Sequence, residues 1–287
     1  MNVYKSNRGM KYELTNETKK INDKTLYRIK ALKDFGKVLK GDSGGFVQSE
    51  KNLSQEGLCW VYGNAVVFDE ARVYGNAVVF DEAQVYGNAV VYGYAQVFDE
   101  AKVCHEAEVY GYARVFDEAV VFDNARVFDE AKVFDEAEVY GEAEVYREAE
   151  VYGVAQVCGD ARVYGEAEVY ENARVFGKTF AYNKARVFGN ARVFGKARVC
   201  EEAGVCGEDW VFGKAGVCDE AGVCGEERFQ SALAELKDCF RHLHDNLSHD
   251  ESIARDDLAC WCKLTFDDWS EYLPKNYSVD VGEVIDE

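Results

Sequence analysis

The run AVVFDE-ARVYGN-AVVFDE-AQVYGN, residues 65–88, is one six-residue phrase written four times. Followed in both directions it covers Cys59 to Glu226 as 28 hexads, Ala-x-Val-aromatic-(Gly/Asp)-(Asn/Glu), without insertion or deletion. The first slot is Ala in 25 of them (Cys59, Thr179 and Asp209 differ) and the third is Val in 27 (Ala181 differs), so these two slots are the candidate core. The fourth slot is Tyr or Phe in 22 hexads and Cys in Cys104, Cys158, Cys200, Cys206, Cys218 and Cys224.

Ala-x-Val has a period of two, which turns Ala and Val to one face and the variable residue to the other. The next two residues, Gly-Asn or Asp-Glu, tolerate left-handed backbone and turn the chain. A strand of about three residues followed by a corner can only coil. Three sides per turn give 18 residues per coil, and 28 hexads give a rod of roughly 45 Å at the spacing of paired strands. An Ala/Val interior is too thin and close-packed to hold a ligand, which leaves function to the outer surface and the ends.

The spacing from Val67 to Ala71 and from Val73 to Ala77, an aliphatic residue and then a small one four positions on, resembles the hexapeptide-repeat proteins. That resemblance implies a mainly β fold, a single-stranded left-handed parallel β-helix of triangular section. The left hand comes from the resemblance, since the general crossover rule points the other way. KYELTNETKK, TLYRIKAL and GDSGGFVQSEKNLS near the N-terminus are similar to bacterial and prophage members of this group, often labelled acyltransferases. The aromatic after each Val departs from the group's usual small or acidic residue.

Charge divides the chain into three regions. Residues 1–58, a cap of short strands and loops, hold 12 basic and 7 acidic side chains. Residues 59–226, the β-helix, hold 15 and 31, and residues 227–287 hold 6 and 15, for a total of −20. Such a balance argues against direct nucleic-acid binding. No apolar window is long enough to span a membrane, and the N-terminus carries no apolar leader. With ten cysteines and no CxxC, the thiols are expected to stay reduced in a bacterial cytosol or a phage-infected host. Cys200 with Cys218, and Cys206 with Cys224, stack one coil apart without an expected bridge.

Residues 18 apart stack, so surface columns can be read directly. One corner carries Asp81-Glu82, Asp99-Glu100, Asp117-Glu118 and Asp135-Glu136. That line approaches the charge density of a phosphate backbone and suggests a charge-mimicking partner surface. The alternatives are in-register duplication offset by Lys102, Arg114 and Lys132, or a divalent-cation ladder. Residues 173–200 invert the sign, with Arg174, Lys178, Lys184, Arg186, Arg192, Lys196 and Arg198 and no acid. Aromatic ladders such as Tyr74, Tyr92, Tyr110 and Phe128 read as stacking between coils rather than as sugar or base platforms.

The catalytic signals are weaker. Gly41-Asp42-Ser43-Gly44-Gly45 copies the nucleophile run of trypsin-like proteases, but no His precedes His105, so it reads as a bend closing the first coil. Acyl transfer, implied by the resemblance, needs a His at a cleft between subunits. His105, oriented by Glu106 or Glu142, is the fallback, with no loop beside it to build a pocket. In the last region Phe229, Leu233, Leu236, Phe240, Leu243 and Leu247 predict an amphipathic helix that caps the rod or joins two copies. Cys239, His242, His244, His249, Cys260 and Cys262 there fit no standard zinc spacing. No metal or cofactor is expected. The reading that follows is a non-enzymatic binding rod, a phage or bacterial inhibitor of a protein partner that handles nucleic acid. A hexapeptide-type acyltransferase acting at a homo-oligomer interface is the alternative.

Overall fold

The computed structural model describes residues 9–218 and 221–223. The expected C-terminal helix and the Cys/His group around it lie outside the described residues. The described chain is all β, with no helix, and winds as a solenoid of 18 residues per turn.

Each turn lays one short strand on each of three parallel sheets, and from Trp60 onward every rung pairs residue i with residue i+18. Val79, Val97, Val115 and Val133 follow one another on one sheet, and Val91, Val109 and Val127 on the next. The first- and third-slot side chains from Ala65 to Val205 face the interior, and nearly all have no solvent exposure. The hexapeptide reading of the core therefore holds. Where the pattern breaks, at Thr179 and Ala181, the larger side chain moves from the third slot to the first and the hexad keeps its volume. Both side chains are fully buried, and the Thr179 hydroxyl has no partner.

The corners have a uniform backbone. All 26 fifth-slot residues from Gly63 to Gly213 have positive φ, and 12 of them are not glycine. The residues bearing a Cβ sit between 55° and 61°, while most glycines open to 66–80°. A Cβ built on Gly153 would lie 2.8 Å from the Glu171 amide nitrogen of the next coil. Asp, Asn, His, Arg and Glu are accommodated by a slight closing of the same turn rather than by a different one.

The N-terminal cap is built from three longer strands. β1 (Tyr12–Ile21) and β2 (Lys24–Ala31) form an antiparallel hairpin. β3 (Ser43–Val47) pairs antiparallel with β2 and parallel with Val66–Val67 of the first coil, so it converts the cap into the solenoid. This corrects the expected bend at Gly41–Gly45. Ser43, Gly44 and Gly45 belong to β3, and a Cβ on Gly44 would collide with Ile29 and Trp60 at 2.5 and 2.7 Å. The glycines are there for close backbone packing. Asn52, fully buried, donates its amide to Asp69 O and Ala71 O, both at 2.9 Å. Its side chain thereby ends a sheet edge that an absent coil would otherwise have to cover. The Lys11 ammonium is buried beneath the cap, donating to Cys59 O at 2.9 Å and Glu56 O at 3.2 Å.

Candidate functional site

The acidic corner forms as expected, but its two carboxylates per coil do different work. Backbone N–H groups of the second, fourth and sixth slots donate to the following coil, as in Gln84 to Ala101, Tyr86 to Val103 and Glu82 to Asp99. The vertex N–H looks backward, where an acid one coil earlier can accept it. Asp117 N donates to Asp99 Oδ2 at 3.5 Å, Asp135 N to Asp117 Oδ2 at 3.4 Å, and Gly153 N to Asp135 Oδ2 at 3.0 Å. The same bond joins Gly87 to Asp69 on another corner, and Gly189 to Glu171 farther along the ridge's own corner. Vertex aspartates thus satisfy backbone that would otherwise be left unpaired.

Glu82, Glu100, Glu118 and Glu136 have no such duty. All four side chains are exposed, and their carboxylates make no hydrogen bond or ion pair among the described residues. The cations expected to offset the column do not pair with it. Arg114 lies over the Phe98 and Phe116 rings at 5.2 and 5.1 Å, and Lys132 binds Glu150 at 2.7 Å on a flat face. Lys102 is exposed on the adjoining sheet between Gln84 and Val120. Beyond Glu136 the corner dips into a shallow open depression around Gly153, Val154 and Asn172.

The basic belt is largely neutralised by its neighbouring coils. Lys178 reaches Asp160 at 3.7 Å, Lys184 reaches Glu202 at 3.6 Å and Arg186 reaches Glu168 at 3.7 Å. Arg192 covers Trp210, and Arg198 lies over Phe180. Arg174 sits beside Arg192 on the same sheet, and Lys196 is an exposed corner residue. An acid-free sequence window is therefore not an acid-free surface.

His105 is a vertex residue with φ of 58° and an exposed side chain. Its Nδ1 faces Asp123 Oδ1 at 3.2 Å, one coil on, and its ring meets Phe122 edge-on. The carboxylate beside it is Asp123, in place of the expected Glu106 or Glu142. Stacking by 18 places vertex on vertex, whereas those glutamates occupy the sixth slot.

The aromatic ladders stack face to face, with centroids 4.6–5.2 Å apart along the rod. Their faces are occupied by one another, which leaves edges and hydroxyls outward. A second stack, Tyr94 on Tyr112 at 4.9 Å, arises in the sixth slot, and both rings are more than half exposed. Burial pushes the phenols of Tyr86, Tyr92 and Tyr152 up to about 12. Their contribution to stability is complete below the free-phenol value near 10 and is lost as pH rises through about 12. Alkaline titration followed by phenolate absorbance should therefore show a late class of tyrosines ionising together with loss of β circular dichroism. Ionisation of every tyrosine near 10 with the fold intact would contradict closed ladders.

On one flat face Glu144 lies between two arginines, contacting Arg126 Nη2 and, at 3.1 Å, Arg162 Nε. Alternating second-slot charges at i and i+18 could have signalled this rung. One expectation about the thiols is overturned. Cys200 and Cys218 are joined by a disulfide, their Cα atoms 4.7 Å apart, because coil stacking sets equivalent residues at bridging distance. Among the described residues, no group of His, Cys, Asp and Glu is arranged to hold a metal ion. No described helix is long and apolar enough to cross a membrane.

Two comparisons with known proteins agree with this architecture. The family of the YdcK β-solenoid repeat matches residues 83–99, 155–171 and 185–201. Each match begins on a first-slot alanine and stops one residue short of a full coil. The Escherichia coli K12 protein described as "uncharacterized acetyltransferase YdcK" is 45% identical over 47 residues. That segment spans 16% of this chain and 14% of the relative. The chain is a β-solenoid, three segments of which are similar to the YdcK β-solenoid repeat.

Proposed function

We propose that the protein is a non-enzymatic binding rod whose acidic corner engages a basic groove on a protein partner. The observation that carries this reading is the line of four exposed, unpartnered glutamates, Glu82, Glu100, Glu118 and Glu136, one per coil. Free charge recurs about every 4.8 Å along this corner, against about 3.4 Å along one strand of duplex DNA. With Asp99, Asp117 and Asp135 tied to backbone, the corner is a sparser polyanion than one phosphate strand. It suits lysines and arginines that reach from a groove built for nucleic acid. A phage or bacterial inhibitor of a nucleic-acid-handling protein, acting in the cytosol, is the biological role consistent with it.

Changing the four glutamates to Gln should weaken binding of an oligolysine peptide at low salt by roughly thirtyfold, taking about 0.5 kcal/mol for each exposed pair. Changing them to Lys should abolish it with the fold intact, and wild-type affinity should fall steeply with added salt. A partner captured from lysate should be released by duplex DNA. Equal peptide affinity for wild type and both quadruple variants would remove the corner from consideration.

Acyl transfer is the second reading. It is favoured by the short similarity to a relative named as an acetyltransferase and by the His105–Asp123 contact at 3.2 Å. A histidine whose second nitrogen is held by a carboxylate has the form of a general base. Under the binding reading, the protein with acetyl-CoA and a panel of amines and sugars should release no thiol. His105→Ala should likewise leave partner binding unchanged. Sustained turnover lost in that variant would establish the enzyme instead.

A further inference from the structure

Most of the large apolar side chains exposed among the described residues gather at one corner of the rod, and it is not the corner of the acidic ridge. Leu58, Tyr74, Tyr94 and Tyr112 stand there, with Leu58, Asn76, Tyr94 and Tyr112 spaced by 18 in one column. The rings of Tyr94 and Tyr112 stack on each other 4.9 Å apart and are 52% and 60% exposed. Their slot, the sixth, holds Asn, Asp, Glu or Lys in every other hexad except that of Val154. A tyrosine there adds nothing to the core and leaves an apolar ring in water, the mark of a surface that meets another molecule.

Charge is ordered along the same column. Beyond Tyr112 come Glu130, Glu148 and Glu166, all exposed, whose carboxylates make no hydrogen bond or ion pair among the described residues. Arg147 beside them lies over the Tyr164 ring at 5.7 Å. At the opposite end the cap loop abuts the column, since a Cβ built on Gly36 would stand 3.8 Å from the Leu58 side chain. That loop carries Lys37 and Lys40, exposed and with ammonium groups that have no polar partner among the described residues. Leu39, between them in sequence, is 63% exposed. The corner therefore runs from base through apolar and aromatic to acid, over about 29 Å from Leu58 to Glu166 at the spacing of paired strands.

We propose that this corner is a self-association surface, on which a second copy of the chain lies antiparallel with the tyrosine pairs at the centre. An order of base, aromatic and acid is complementary to its own reverse, as a two-fold contact requires. An axis midway between Tyr94 and Tyr112 sets each of these rings against the other ring of the second copy. Counted outward one coil at a time, Asn76, Leu58 and the cap loop meet Glu130, Glu148 and Glu166 of the second copy, in that order. Lys37 and Lys40 thus fall among free carboxylates, whereas a parallel arrangement would set Glu on Glu and Lys on Lys. Tyrosine suits the centre because its ring packs while its hydroxyl stays wet. One convex line buries less than the roughly 1,600 Å² of a standard interface, so the pair is weak and reversible. Its lysine–glutamate contacts are screened by salt.

Sedimentation velocity of the full chain at low salt, from about 10 μM to about 1 mM, tests the surface. The wild type should pass from monomer to dimer with nothing larger. In Tyr94→Ser with Tyr112→Ser the transition should move to roughly tenfold higher concentration. Lys37→Glu with Lys40→Glu should sediment as a monomer, and so should Glu148→Lys with Glu166→Lys, because each brings like charges together. An equimolar mixture of these two charge variants should dimerise again, since every contact then joins opposite charges. A wild type that stays monomeric throughout would overturn the proposal. So would a dimer unmoved by the tyrosine substitutions, which would place the contact elsewhere on the chain, or growth beyond two copies. A mixture that stays monomeric, with both variants folded by circular dichroism, would overturn it as well.

Discussion

Deleting residues 101–118 should yield a folded rod one coil shorter, whereas deleting 101–106 should yield an equally folded rod whose line of corner glutamates is broken after Glu100. The first deletion sets Ala119 on Ala83, Val121 on Val85 and Asp135 on Asp99, so each sheet, ladder and vertex bond is rejoined in kind. Each coil touches only its neighbours, and nothing further along the chain registers the loss. The second deletion also keeps Ala on Ala and Val on Val, because hexads are interchangeable in the core. It turns every later column by one corner, setting Asp123 on Asp99 and sending Asp117-Glu118 onto the corner of Gly93-Tyr94. Circular dichroism and urea midpoints should differ little among the three proteins. Oligolysine affinity should survive the 18-residue deletion, which takes only Glu118 from the line, with a modest loss and fall about fivefold in the six-residue one, which takes Glu118 and Glu136 off the corner. Failure of the 18-residue deletion to fold would contradict coil independence.

A second large effect is expected in the interior. Ala137 and Val139 are fully buried neighbours in one hexad. Ala137→Val forces two extra methyl groups into a filled layer at a cost of about 1–3 kcal/mol, and Val139→Ala opens a cavity at about 2–3 kcal/mol. Made together, they reproduce the large-then-small order of Thr179 and Ala181, and most of both penalties should vanish. Thr179→Val should go further and stabilise its coil by about 1–2 kcal/mol, since it keeps the shape and removes a buried hydroxyl without a partner. Urea midpoints, read with exchange at the altered coil because long repeat arrays need not unfold in two states, measure these effects. Additive penalties in the double variant would mean that Thr179 and Ala181 do not compensate each other.

The hexad carries the solenoid openly because one rule repeats. Period two sends Ala and Val inward, and the fifth slot must turn left, so Gly, Asp or Asn gathers there. Columns spaced by 18 were legible for the same reason, down to the four glutamates of the ridge. Three things were not. The first is the cap, whose strands do not repeat; Gly44 and Gly45 look like a loop in sequence and are strand residues, Gly44 pressed against Ile29 and Trp60 and Gly45 against Val61 and the Ala65 carbonyl. The second is the backward-facing vertex N–H, which makes an aspartate structural and its neighbouring glutamate free, a distinction of half a residue that composition does not encode. The third is pairing across coils. Asp160, Glu168 and Glu202 neutralise a belt that is acid-free in its own window, and Asp123 rather than Glu106 faces His105. The Cys200–Cys218 disulfide runs against the expectation drawn from the compartment, although stacked columns set the two residues at bridging distance.

The ladder bonds between coils, from Asn64 to Asp81 through Gly204 to Ala221, all lie along the rod rather than across it. Under tension from its two ends, such a molecule carries load through one stack of bonds after another, with no transverse reinforcement. It should yield from an end, one coil at a time, each coil paying out about 60 Å of extended chain. A coil whose ends are joined by sulfur pays out almost none. The force record of a single stretched molecule would therefore be a regular staircase, with the step for the loop between Cys200 and Cys218 missing until that bond is cut.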